Sequence, residues 1–211
     1  MNNLPTGFVT DTEQIALDGL SQKSREAWQH LAGQDYEVHT GLTSQYTDQI
    51  MTMSHEAAIR EYCPKDATER FKNLENAEQW LNKGRAVFLL LKRGNDGLRL
   101  AGYSWTGPGT NSHIPEGQTT FALRVGEIGQ GQGLATPFSW LVIAVSASKY
   151  ELKDFWLETW SSNGAAVHIY HKLGFETVAE APGHRPSASG DQVADTRIYM
   201  DLSNDLLTED K

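Results

Sequence analysis

The chain has 211 residues, a length that suits one large domain or one domain with an extension. Its 18 basic and 27 acidic side chains leave a net charge of −9, which argues against nucleic-acid phosphates as the main partner. Hydrophobic residues at 39% with six tryptophans argue against general disorder, and Cys63, the only cysteine, excludes an intrachain disulfide and a Cys-rich zinc site.

In chain order, Thr12 to Leu31 carries apolar residues at Ile15, Leu17, Leu20, Ala27, Trp28 and Leu31, a helix-compatible pattern with Asp11 or Thr12 as cap. YEVHTGL (36–42) reads as a strand. Helices follow over Thr43 to Tyr62, stopped by Cys63-Pro64, and over Ala67 to Lys83, stopped by Gly84. AVFLLLK (86–92) is a buried strand, RGNDG a turn, and LRLAGYSWT (98–106) its antiparallel return. After a loop, TTFALRV (119–125) is a further strand. A glycine-rich stretch then leads into a helix reaching about Ser148. DFWLETW (154–160), Asn163 to Leu173 and FETVAEA (175–181) read as strand, helix and strand. PGHRPSASGDQVAD reads as a polar loop before the last strand, TRIYMDL (196–202). Hairpins mixed with a single strand–helix–strand crossover imply a mixed sheet covered by helices, α/β or α+β by class.

The chain begins MNNLPTGFVTDTEQ, without a basic region or an apolar signal segment, and its longest apolar runs, AVFLLL and WLVIAV, are too short to span a bilayer. A cytoplasmic protein with no membrane partner is the expectation.

The informative stretch is GQGQGLATPF, with Gly129, Gly131 and Gly133 between a strand and a helix. Such a turn aims backbone N–H groups and the positive helix end at an anion. A Walker loop would need Gly-Lys-Ser/Thr, and Gly133 is followed by Leu134-Ala135. A dinucleotide fingerprint would need Gly or Ala three residues after the second glycine, where Leu134 and Thr136 stand instead. Gln130-Gly131-Gln132-Gly133-Leu134-Ala135 reads as Q/R-x-x-G-x-G/A directly after a strand ending in Val125. This resembles the pyrophosphate loop of the GNAT superfamily of acyl-CoA-dependent N-acyltransferases. FWLETWSSNGAAVHIYHKLGFETV (155–178) is similar to that family's second signature, with Asn163, Ala166, Ile169, Tyr170, Lys172, Gly174 and Phe175 at its fixed places. Within it, WLETWSSNGAAVHIYHKLGF is most similar to the ribosomal-protein N-terminal acetyltransferases.

The resemblance implies a mixed, mostly antiparallel sheet with flanking helices over residues 36–211; residues 1–35 lie outside it and read as an N-terminal helical extension. It implies acetyl-CoA as cosubstrate, no metal, and a small-molecule or peptide amine as acceptor. The backbone of Leu123, Arg124 and Val125 would pair with the pantetheine arm. Gln130, Gly131, Gln132, Gly133, Leu134 and Ala135 would hold the pyrophosphate, and Asn163 would cap its helix and contact the same ligand. Tyr170 is the expected general acid beside the sulfur, and Glu158 or Glu127 the general base. Pro137 departs from the pattern, implying that the helix starts late or kinks. Gln130 stands where an arginine is commoner. His168 and His171, three apart on a helix, lack the carboxylate signature of a zinc helix. His184 and Arg185, with Trp105, Tyr103 and Trp160, are candidates for the acceptor pocket. Two other readings stay open, a non-catalytic acyl-CoA-binding or sensing module and a transferase for a longer acyl-CoA. The acceptor and the oligomeric state are not legible.

Overall fold

A computed structural model describes Leu4, residues 7–187 and residues 189–202; the termini of the two expected regions, including 203–211, lie outside the described residues. In chain order the elements are β1 (Glu13–Gln14), α1 (Gln22–Ala32), β2 (Tyr36–Thr40), α2 (Ser44–Met53) and α3 (Ala57–Tyr62). A π-helical turn (Asp66–Arg70), α4 (Leu74–Leu81), β3 (Ala86–Gly94), β4 (Gly97–Pro108) and β5 (Thr119–Val125) follow. The chain continues with α5 (Ala135–Tyr150), β6 (Phe155–Trp160), α6 (Gly164–Leu173), β7 (Glu176–Pro186) and β8 (Gln192–Leu202). The sheet runs β1-β2-β3-β4-β5-β6-β8-β7, and every neighbouring pair is antiparallel except β5–β6. This is the mixed, mostly antiparallel sheet that the sequence implies.

The apolar run of β3 is continuous because both of its faces are covered. Phe88 and Leu90 join the core beneath α1, α5 and α6, while Val87, Leu89 and Leu91 face the core beneath α2 and α4. The β3–β4 turn is tight, with Gly97 at φ +102°, a left-handed conformation that glycine adopts without steric penalty. α5 is apolar nearly all round and buried between the sheet and α1.

Four expectations are corrected. The helix over Thr43 to Tyr62 is two helices, α2 and α3, parted at Ser54 to Glu56. The helix over Thr12 to Leu31 is confined to Gln22–Ala32: Gly19 sits at φ +77°, and Ser21 caps the helix by accepting from the Ser24 N–H at 3.2 Å. Upstream, Glu13 and Gln14 pair with Thr40 and His39 as an edge strand instead. The helix over Ala67 to Lys83 is a π-helical turn followed by α4, capped by Asn73. The loop from Pro182 is largely strand, since β7 and β8 stay paired out to Pro186 and Gln192. Two prolines fit there because β7 is a sheet edge, where a missing N–H breaks no second ladder.

Candidate active site

β5 and β6 begin side by side, with Thr119 opposite Phe155 and Thr120 opposite Trp156, and there their pairing ends. β5 stays bound to β4 as far as Val125, and β6 to β8 as far as Trp160. The inner edges therefore part. A cavity of about 1890 Å3 opens at this parting, walled by Phe121 to Val125, the glycine turn, the first turns of α5 and α6, and α3.

The glycine turn closes one end. Gly131 and Gly133 both adopt φ +72°, and no protein atom lies within 4 Å of where a Cβ would stand on either. The turn is pinned from behind: the Gln130 side chain donates to Val125 O at 3.1 Å. Gln132 accepts from the Tyr36 hydroxyl at 2.8 Å and donates to Ile128 O at 2.7 Å. Gln132 thus faces the fold and does not line the cavity, whereas Gln130, Gly131, Gly133, Leu134 and Ala135 do. α5 starts at Ala135, so Pro137 is its third residue, among the four whose N–H groups have no partner within the helix. The proline needs no kink.

Leu123, Arg124 and Val125 line the cavity from β5. Asn163 caps α6, its Oδ1 accepting from the Ala166 N–H at 3.3 Å, and lines the cavity as well. About two turns further, Tyr170 is buried against Phe121 and Phe175. Burial pushes its phenol up to about 12, with Arg124 pulling it down and Cys63 pushing it up, so it keeps its proton at neutral pH.

The two glutamates separate. Glu158 lines the cavity from β6, half-exposed, with Arg197 Nη1 3.7 Å from its carboxylate. Glu127 is exposed outside the cavity, its backbone N–H held by Glu56 Oε2 at 2.8 Å. On the far wall, His184, Trp105 and Trp160 reach the cavity, while Tyr103 and Arg185 do not. Arg185 clamps α3 to the β7–β8 hairpin, donating to Glu61 and Asp195 at 2.7 Å each. Gly183 leaves room for the Trp160 ring, which a Cβ there would meet at 3.0 Å.

Behind β5 lies a buried charge hub that sequence reasoning missed. Asp66, fully buried in the π-helical turn, accepts from the Tyr103 hydroxyl at 2.6 Å, Arg124 Nε at 2.7 Å and Arg70 Nη1 at 2.7 Å. Burial raises the Asp66 carboxyl, but Arg124, Arg70 and the Tyr103 hydrogen bond outweigh it and hold it below the usual carboxylate range. Arg124 is thereby fixed beside Tyr170. The i,i+4 spacing of Asp66 and Arg70 is the one legible trace of this hub. Among the described residues no group of three or more His, Cys, Asp and Glu could hold a metal ion, and no helix is long and apolar enough to cross a membrane.

No protein-family model matches the chain, and no curated protein matches it in sequence. Solved structures do match in fold. A ribosomal-protein-S5-alanine acetyltransferase from Vibrio fischeri shares 16% identity at a TM-score of 0.62, covering 82% of this chain and 96% of that one. A spermidine N-acetyltransferase from Vibrio cholerae, in complex with CoA and spermine, shares 18% at 0.61, covering 80% and 96%. An aminoglycoside N(6')-acetyltransferase from Legionella pneumophila shares 20% at 0.58, covering 84% and 96%. The chain therefore has the fold of the GNAT acetyltransferases.

Proposed function

We propose that the protein is an N-acetyltransferase that moves an acetyl group from acetyl-CoA to an amine by direct attack. The observation that carries this reading is the parting of β5 from β6, with the glycine turn at one end of the resulting cavity and Tyr170 on its wall. An extended pantetheine arm fits along the freed edge of β5, at Leu123 to Val125, and the pyrophosphate fits the glycine turn and the N-terminus of α5. Neighbours in fold that were crystallised with CoA or acetyl-CoA support the choice of cosubstrate.

In the reaction the neutral amine nitrogen attacks the thioester carbonyl, the backbone of β5 steadies the developing oxyanion, and the C–S bond breaks. The nitrogen loses one proton and the sulfur gains one. Tyr170, protonated through the neutral range, supplies the donor at the sulfur. Glu158 is the better placed acceptor of the amine proton, since it lines the cavity and Glu127 does not.

The test is thiol release from acetyl-CoA over a panel of amines, with Tyr170→Phe alongside. Loss of the acid should lower kcat about 100-fold or more while acetyl-CoA affinity stays within about twofold. Unchanged turnover in the variant would remove Tyr170 from the mechanism.

A further inference from the structure

In a chain of net charge −9, the cavity lining carries eight lysine and arginine side chains against two carboxylates, Glu26 and Glu158. Part of this excess surrounds Trp105, away from the glycine turn. Trp105 is 5% exposed, and the guanidinium carbons of Arg85 and Arg70 lie 5.0 and 5.6 Å from its ring centroid. Lys65 and Lys83 stand exposed at the rim of the same corner, with Glu69 as its carboxylate. Arg70 is paired with Asp66, whereas Arg85, Lys65 and Lys83 make no ion pair among the described residues.

Arg85 is held in place although it has no carboxylate partner. It donates from Nη1 to Pro108 O and crosses the backbone at Gly107. A Cβ at Gly107 would lie 2.3 Å from Gly84 O and 3.1 Å from Arg85 Cδ and Nη1, so only glycine leaves this path open. Arg85 Nε and Trp105 Nε1 are both buried donors without a partner among the described residues. Desolvation, then Arg70, pulls the Arg85 guanidinium down to about 10, a strain that a bound anion would relieve. The corner also connects to the chemistry: Arg70, Arg85 and Trp105 line the same cavity as Glu158 and Tyr170.

We propose that the acceptor amine also carries an anionic group, a carboxylate or a phosphate, seated on Arg85 and Arg70 against Trp105. The inference rests on the acetyl-transfer reading and narrows its acceptor. Polycations of the kind named for two neighbours in fold, spermidine and an aminoglycoside, would meet unpaired positive charge in this corner.

The experiment compares kcat/KM at saturating acetyl-CoA for tyrosine against tyramine and phosphoethanolamine against ethanolamine, with spermidine and kanamycin as polycations. The anionic member of at least one pair should lead by about tenfold or more, the pair that responds identifying carboxylate or phosphate. Arg85→Gln should erase that ratio and Arg85→Lys should keep most of it, which separates lost charge from lost folding. Equal rates within both pairs, a polycation as the fastest acceptor, or no turnover of either anionic amine overturns the proposal. Absence of any thermal stabilisation by acetyl-CoA would instead sink the acetyl-transfer reading itself.

Discussion

Replacing Asp66 by asparagine removes the one negative charge on which Arg70, Arg124 and Tyr103 converge. Breaking a buried ion pair from one side costs about 3–5 kcal/mol, because the remaining charges stay buried and uncompensated. At this chain length each kcal/mol moves the unfolding midpoint by roughly 2–4 °C, so a fall of roughly 6–20 °C is expected at pH 7. The effect also has a pH signature. A carboxyl held below its unfolded value contributes stability that is present above that value and lost as pH falls through the folded one. For Asp66, lowered from 3.8, the gap between wild type and Asp66→Asn should stay constant from neutral pH to about 4 and shrink below it. Urea unfolding at pH 7, 5, 4 and 3 measures this. A variant within about 1 kcal/mol of wild type at pH 7 would refute the account of the hub.

Two further outcomes follow from the cavity. Glu158→Gln should lower kcat/KM about 100-fold at neutral pH, and Glu127→Gln should leave it within about threefold; the reverse result would move the base outside the cavity. Gly131→Val forces a branched side chain to φ +72°, which costs about 1–2 kcal/mol, and blocks the anion's approach to the turn. It should lower the midpoint by a few degrees and weaken acetyl-CoA binding tenfold or more; undiminished affinity would show that the turn holds no pyrophosphate.

Much of this was readable from the residues because the signals were local. The alternation and apolar runs of β3, β4, β5 and β6 marked the sheet, and Gly174 and Asn163 marked the ends of α6. The glycine turn and Tyr170 were singled out by the resemblance of two local motifs, and Gly131, Gly133 and Tyr170 line one cavity. What stayed hidden depends on tertiary context. Pro182 and Pro186 look like loop residues until β7 is known to be a sheet edge. Ile15 and Leu20 fit a helical period, yet Ile15 reaches the core from a segment whose N–H donates to Val38 O in β2, with Gly19 ending any helix between them. The hub at Asp66 joins residues 37 and 58 positions away, and the Trp105 corner joins a turn, a strand start and a strand end. No window of sequence contains either.

The most direct measurement is thermal unfolding with and without acetyl-CoA, with NAD and ATP as controls. At a hundred times Kd, a specific site adds about 2.7 kcal/mol, which corresponds to a rise of roughly 5–11 °C. A rise of that size with acetyl-CoA alone is the result the account predicts. No rise at millimolar acetyl-CoA, or an equal rise with NAD or ATP, would contradict it.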